Sequence, residues 1–207
     1  MNGQETEAKF YVRNLAKIEA RLIEIGAHPV QERVRETNLR FDTPDRSLRK
    51  EGKVLRLRQD QTAKMTFKSD TTMDDGVLSR KEIEFEVQSF EAARELIESL
   101  GYEIVLLYEK YRKTYDLNGL HIMLDELPYG DFVEIEGQEV NAIREAAERI
   151  GLNWDAAIPS SYSALFERVA KSRNLDTGKL TFEAFSGQRP NAKELSVNEA
   201  DQEDQPR

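Results

Sequence analysis

The sequence predicts an α+β fold: a closed eight-stranded antiparallel β-barrel with helices packed outside. Three observations carry this. About eight segments alternate apolar and polar residues with a period of two, and short turns join them. Three or four further segments repeat apolar residues every three or four positions. The polar positions of the alternating segments are charged in strand after strand.

Taken in chain order, the first strand spans 6–12 and is followed by a helix starting at Asn14. Leu15, Ile18, Leu22 and Ile25 share one face of that helix, and Gly26 stops it. Period-two strands follow at 32–42, 53–58, 64–68 and 80–87. Ser89 opens a second helix with Phe90, Ala93, Leu96, Ile97 and Leu100 as its apolar positions, ended by Gly101. Strands at 104–117 and 120–127 flank Asn118-Gly119, a dipeptide suited to the positive backbone angles of a two-residue hairpin turn. A strand at 131–136 precedes a third helix at 141–150, ended by Gly151. A fourth helix covers 160–171, with Leu165, Phe166 and Val169 facing inward and Ser160-Ser161 placed as its cap. These elements make one domain over residues 1–173. Residues 174–207 form a polar extension, expected to be largely disordered after about 187, with Leu180-Thr181-Phe182 and Phe185 docking on the body. There is no internal repeat.

The composition narrows the function classes. The absence of cysteine excludes disulfide scaffolds, thiolate metal sites, iron–sulfur clusters and cysteine nucleophiles. The longest apolar runs, such as 104–107, fall far short of a membrane span, and the first residues show no basic-then-apolar signal. A soluble cytoplasmic protein is the expectation. A net charge of -9 argues against nucleic acid as the main partner. A third of the residues are charged, so the placement of each sign is the informative quantity.

Alternation settles that placement. Glu5, Glu7 and Lys9 share one face of the first strand, about 6.6 Å apart along it. Arg56 and Arg58 oppose Leu55 and Leu57, and Lys64 and Lys68 oppose Met65 and Phe67. Glu82, Glu84 and Glu86 oppose Ile83, Phe85 and Val87; Lys110 and Arg112 oppose Tyr111. Asp125 opposes Leu124, while Glu134 and Glu136 oppose Val133 and Ile135. One face thus collects eight acids and seven bases, segregated by strand. A solvated sheet face accounts for any one strand but poorly for the whole set, because such a face normally mixes in neutral polar residues. Closing eight strands into a barrel would turn this face into a wet tunnel. Burying so many ions dry would cost several kcal/mol each, on the order estimated for single buried charges. Opposite signs in one cavity suit a polyanion held by Arg and Lys beside a divalent metal held by carboxylates. With only two histidines, the metal of choice is Mg²⁺ or Mn²⁺.

The same residues resemble a family. Glu5-Thr6-Glu7-Ala8-Lys9 is similar to the E-x-E-x-K signature of the CYTH domain, that of the triphosphate tunnel metalloenzymes. The rest follows in order: Phe41-Asp42-Thr43-Pro44 with Leu48, Leu55-Arg56-Leu57-Arg58, Thr66-Phe67-Lys68, Glu82-Ile83-Glu84, Glu109-Lys110-Tyr111-Arg112, Leu124-Asp125 and Phe132-Val133-Glu134-Ile135-Glu136. The Ser161-Tyr162 helix start also fits. The resemblance implies an eight-stranded tunnel that binds a triphosphate with a divalent metal. It implies Glu5, Glu7, Glu134 and Glu136 as metal carboxylates; apart from the resemblance, Glu82, Glu84 and Glu86 read either as support for the metal or as orienting Lys and Arg across the tunnel. Arg56, Arg58, Lys68, Lys110 and Arg112 become the phosphate cradle. Lys9 falls beside the reacting phosphate and Asp125 near the carboxylates, making these two the catalytic candidates. One departure is specific: the tyrosine pair that vertebrate-type thiamine triphosphatases carry before Asp-Thr is here Arg40-Phe41, so thiamine specificity does not carry over.

Three functions follow as expectations. The favoured one is a metal-dependent triphosphatase acting on an inorganic or organic triphosphate. The alternatives are a class IV adenylyl cyclase making cyclic AMP from ATP, and a non-catalytic triphosphate- or nucleotide-binding module. A cyclase must also bind adenine, and no spacing identifies a base pocket. Tyr102, Tyr129 and Phe132 are the stacking candidates, although aromatics in strands and turns more commonly pack. His121 shares a face with Asp125 and reads as a hydrogen-bonded lumen residue; His28 reads as a turn residue, and Lys64 lies toward a tunnel mouth.

Overall fold

The computed structural model describes residues 2–74, 77–185 and 189–201. Strand β1 (Asn2–Val12) leads into α1 (Leu15–Glu24), whose first turn is capped by Asn14 accepting from the Lys17 N–H. Then come β2 (His28–Asp42), the short α2 (Ser47–Lys50), β3 (Val54–Gln59), β4 (Ala63–Asp74), β5 (Val77–Val87) and α3 (Phe90–Ser99). The second half holds β6 (Glu103–Leu117), β7 (Leu120–Leu127), β8 (Gly130–Gly137), α4 (Val140–Ile150) and α5 (Tyr162–Arg173), ending with β9 (Lys179–Leu180) and α6 (Ala192–Leu195).

Eight strands close a ring in the order β2-β3-β4-β5-β1-β8-β7-β6, with β6 returning to β2; every pairing in the ring is antiparallel. The two-residue β9 adds in parallel to β6 through Leu107 and Tyr108. Asn118 and Gly119 both take positive φ, the hairpin geometry expected between β6 and β7. Gly137 ends β8 where a Cβ would collide with the Leu120 side chain.

Outward-facing residues build the core. Ala8, Phe10 and Val12 of β1, with Ile122, Val133 and Ile135, are covered by Ile18 and Leu22 of α1 and by Ile143, Ala147 and Ile150 of α4. Helix α3 covers Leu39, Phe41 and Leu57 with Ala93 and Ile97. Helix α5 does something different. Tyr11 and Phe132 continue the inward-facing registers of Lys9 and Glu134, and there the lumen turns apolar. Leu165 and Phe166 of α5 pack on them, so α5 closes that end of the barrel.

Several boundaries differ from those expected, for local reasons. Strand β4 runs to Asp74 because a register shift between Ser69 and Thr72, with Asp70 at φ 51°, moves the alternation onto the other face and hides it from a period-two reading. Irregular pairings at Pro29, Gln31 and Val34 do the same at the start of β2, where His28 is a strand residue instead of a turn residue. Helix α2 was not anticipated. Asp42 accepts from the N–H groups of Thr43, Leu48 and Arg49, so the Asp-Thr pair organises a tight corner rather than the tunnel.

The extension after 187 also departs from the expectation of disorder. Residues 186–188 and 202–207 lie outside the described set, but 189–201 pack on the barrel. Asn191 forms a capping box with Glu194, Leu195 and Ala200 are fully buried, and the Ala200 N–H donates to Tyr11 O at 2.9 Å. The Asp201 carboxylate accepts from the Arg13 and Asn14 N–H groups. A largely polar segment has no local signal of this kind; its docking partner lies at the end of β1, 188 residues away in sequence. The apolar 180–185 patch docks as expected, with Leu180 fully buried.

Candidate functional site

The inward faces of the ring enclose a cavity of about 1470 Å³. Every strand of the ring contributes through its alternate residues: Glu5, Glu7 and Lys9 from β1; Glu36 and Arg40 from β2; Arg56 and Arg58 from β3; Lys64 and Lys68 from β4. Strand β5 adds Arg80, Glu82, Glu84 and Glu86; β6 adds Tyr108, Lys110 and Arg112; β7 adds His121; and β8 adds Glu134 and Glu136. The structure thus brings all the expected charged residues but Asp125 to the lining of one cavity.

Ring order decides how they pair. One side, around β1, β5 and β8, is rich in carboxylates. Lys68 Nζ donates to Glu5 at 2.5 and 2.6 Å and lies 3.5 Å from Glu82. Arg80 reaches Glu7 at 3.1 Å and Glu5 at 3.3 Å. Burial raises the Glu5 pKa, but Lys68 and Arg80 outweigh it and hold the carboxyl below its ordinary value. Glu136 has no such relief: it makes no ion pair among the described residues. Burial, then repulsion from Glu5, Glu7 and Glu82 against the pull of Lys68, pushes its pKa up to about 7. Burial and the Glu5 charge likewise push Glu82 up, with Lys68 opposing.

The opposite side, around β2, β3 and β6, is cationic, and Glu134 of β8 joins the two sides by bonding both Lys9 of β1 and Arg112 of β6. Lys9 Nζ lies 2.9 Å from Glu134 and 3.7 Å from Glu7; burial favours the neutral amine, but these carboxylates prevail and raise its pKa. Glu134 is held well below the usual carboxylate range, against burial, by Lys9, Arg112 and Lys110. Arg58 stands 3.5 Å from Glu84, 3.4 Å from Asp60 and 3.8 Å from Glu36, while Arg56 donates to Thr66 at 3.1 Å and faces Glu84 at 3.4 Å. Burial opposes ionisation of Glu36 too, yet Lys110, Arg112, Arg58 and Arg56 together bring its pKa to about 2.

Asp125 occupies a different place from the one expected. It is fully buried, and both oxygens are taken: Arg112 forks onto it at 2.6 and 2.5 Å, Lys110 donates at 3.0 Å, and the Tyr162 hydroxyl donates at 2.8 Å. Arg112 also bonds Glu134. Asp125 presents no free edge to the cavity, so its geometry is that of a positioning residue for Lys110 and Arg112.

Sequence reading missed Glu36, Arg40, Arg80, Tyr108 and Tyr162. The first two keep the period of β2, and Arg80 keeps that of Glu82, so alternation alone would have found them. Tyr162 had no such signal: it comes from α5, and its ring lies 4.4 Å from Lys9 Nζ. Of the weaker candidates, Ser161 caps α5 through the Ala164 N–H, His121 is an exposed strand residue whose side chain makes no hydrogen bond among the described residues, and Lys64 is half-buried beside Glu84. Tyr129 and Phe132 are fully buried packing residues, and Tyr102 packs in the cluster beneath α3, so none offers a stacking face.

Among the described residues no three Asp, Glu or His side chains already stand in metal-ligand geometry; the acids are drawn onto Lys68, Arg80 and Lys9. The donor set nevertheless suits a hard divalent cation. It is all carboxylate oxygen, and the repulsion from Glu5, Glu7 and Glu82 that adds to burial in pushing Glu136 up to about 7 is the kind a cation relieves.

The sequence matches the CYTH domain model over residues 3–150. No curated protein matches it. Among solved structures, a candidate adenylate cyclase of Vibrio parahaemolyticus is similar with a TM-score of 0.72 and 22% identity, over 81% of this chain and 99% of that one. A Pyrococcus horikoshii OT3 protein gives a TM-score of 0.66 and 27% identity, over 76% and 96%. A candidate adenylyl cyclase of Hippeastrum, described as having a dominant triphosphatase activity, gives 0.59 and 18%, over 79% and 95%. Among the described residues no helix is long and apolar enough to cross a membrane. CYTH domain proteins bind triphosphates, depend on metal and are enzymes, either triphosphatases or adenylyl cyclases. The domain match takes in the whole ring of strands with its charged lumen, and this protein belongs to the CYTH domain family.

Proposed function

We propose that this protein is a divalent-metal-dependent triphosphatase that hydrolyses an inorganic or organic triphosphate inside the tunnel. The observation that carries the reading is the segregation of charge within one cavity: carboxylates crowd one wall around Glu136, and cations crowd the facing wall around Arg56, Arg58, Lys110 and Arg112. A triphosphate complements the second wall, and Mg²⁺ or Mn²⁺ complements the first. Glu5, Glu7 and Glu136 would hold the metal, with Glu134 at the boundary of the two walls. When bound, the ion supplies Lewis-acid charge that polarises phosphoryl oxygens.

The chain's own residues do the rest. Arg56, Arg58 and Arg112 are pre-aligned by Glu84, Glu36 and Asp125, so their guanidinium groups meet phosphate without reorganising. In hydrolysis a water oxygen bonds to phosphorus, its proton passes to a phosphate oxygen, and the bridging P–O bond breaks, its electron pair leaving with the diphosphate. The cationic wall neutralises that charge. Lys9, kept protonated by Glu134 and Glu7, acts here as a fixed positive charge and not as a base. Asp125 acts through Lys110 and Arg112. The fold accommodates such chemistry, as the triphosphatase activity described for the Hippeastrum protein illustrates. Tyr102, Tyr129 and Phe132 are taken up by packing, and hydrolysis, unlike cyclisation, needs no base pocket, which favours hydrolysis.

The test is to incubate purified protein with Mg²⁺ or Mn²⁺ and tripolyphosphate, ATP or thiamine triphosphate. Phosphate release is the expected result, and Arg58→Ala should chiefly raise KM. Cyclic AMP and pyrophosphate as the main products from ATP would make it a cyclase, and tight binding without turnover would make it a binding module.

A further inference from the structure

Each lysine and arginine lining the tunnel has a carboxylate within 4 Å among the described residues, with one exception, Arg40. It stands on β2 opposite Arg56 of β3 and Leu106 of β6. Its polar partner is a hydroxyl: Nη1 donates to Ser163 Oγ, on the first turn of α5, at 2.5 Å. Burial, together with Arg56, Arg80 and Arg49 and against Tyr108, pushes its pKa down, so the spot carries more positive charge than the protein neutralises.

A second observation falls on the same wall. The buried side-chain atoms without a hydrogen-bond partner among the described residues are Glu36 Oε2, Asn38 Nδ2 and Oδ1, Arg56 Nε and Arg58 Nε, all on β2 and β3. Three of these five are donors; Arg58 Nε already stands 3.4 Å from the Asp60 carboxylate, which leaves Asn38 Nδ2 and Arg56 Nε as the spare ones. Spare donors beside uncompensated positive charge fit a group with several anionic oxygens. Beyond Arg40, on the α5 side, Tyr11, Phe132, Leu165 and Phe166 belong to one buried apolar cluster, which offers an organic substituent no polar partner.

We infer that Arg40 and Ser163 form the seat for the terminal, unesterified phosphate of the substrate at the α5 end of the tunnel, so that any organic group leaves by the other end. This rests on the triphosphatase reading and sharpens it: the substrate class is a triphosphate with at least one free terminal phosphate, whether tripolyphosphate or a nucleoside triphosphate. A dianionic terminal phosphate belongs there more than a bridging one because it brings the larger charge to the uncompensated guanidinium.

The experiment compares wild type, Arg40→Gln and Arg40→Lys by calorimetric binding of tripolyphosphate, by KM and kcat, and by thermal unfolding of the free protein. Arg40→Gln should weaken binding and raise KM by about tenfold or more, the scale of one charge-assisted hydrogen bond, with a smaller change in kcat. Arg40→Lys should recover part of the loss. The free Arg40→Gln protein should unfold no earlier than wild type, since it loses an uncompensated cation; a merely structural arginine would lower that temperature. In a second arm, wild type should prefer ATP over ATP esterified on its terminal phosphate, and Arg40→Gln should lose the preference. Equal tripolyphosphate binding by wild type and Arg40→Gln, in a wild type that hydrolyses it, overturns the seat alone. A wild type that binds none of these compounds overturns both readings.

Discussion

Lys68 Nζ donates to both carboxylate oxygens of Glu5, bridging β4 and β1 across the intervening β5. The two residues belong to opposite halves of the proposed chemistry, one to the phosphate cradle and one to the metal carboxylates. Each neutralises the other in the free protein. Ligand entry must exchange this ion pair for contacts to phosphate and cation, which keeps a crowded tunnel folded until it fills.

Glu5→Gln removes an anionic oxygen from the carboxylate wall and frees Lys68. Metal-dependent turnover should fall by roughly a hundredfold or more, the scale of losing a main electrostatic contact. Mn²⁺ affinity, read by titration of the free protein, should fall with it. Retention of full activity by Glu5→Gln would remove Glu5 from the metal assignment.

The crowding at Glu136 has a pH signature. Its pKa rises from an ordinary 4.5 to about 7, so the folded state holds a proton that the unfolded chain has lost between those values. Stability of the free protein should therefore fall as pH rises from about 4.5 through about 7, by at most roughly 3 kcal/mol. Glu136→Gln should flatten this slope in denaturant titrations at several pH values. Divalent-ion affinity should rise across the same window, because the ion displaces the proton.

Asp125 predicts a stability effect larger than that of a tunnel-lining residue. Asp125→Ala leaves Lys110 and Arg112 buried without their shared partner and should cost about 3 to 5 kcal/mol. Tyr162→Phe removes one hydrogen bond while keeping the ring near Lys9, and should cost about 1 kcal/mol. Urea unfolding separates the two. Wild-type stability in Asp125→Ala would show that the buried network is not what holds those cations.

The docked C-terminal segment predicts a dependence outside the ring. Leu195 is fully buried against the α5 cluster, so Leu195→Ala should cost about 2 to 4 kcal/mol and lower the unfolding temperature. Proteolysis should then begin in 189–201 before it reaches the strands. Unchanged unfolding would mean that this segment contributes little.

Much of the fold was readable from residue order because period-two alternation maps directly onto the two faces of a strand. Glu5-x-Glu7-x-Lys9, Arg56-x-Arg58 and Glu134-x-Glu136 therefore declared their common face without any knowledge of partners. Asn14, Ser89 and Ser161 announced their helices through caps that act within three residues. What the chain could not declare locally was which strand lies beside which. The placement of β1 between β5 and β8, and the return of β6 to β2, set Lys68 on Glu5, left Glu136 among carboxylates and left Arg40 without one. Tyr162 reaches Asp125 only because α5 closes the barrel end, and Ala200 reaches Tyr11 only because the barrel presents that edge. Alternation is a property of neighbouring residues, whereas ion pairing in a closed ring depends on contacts between residues far apart in the chain, and only the folded barrel decides those.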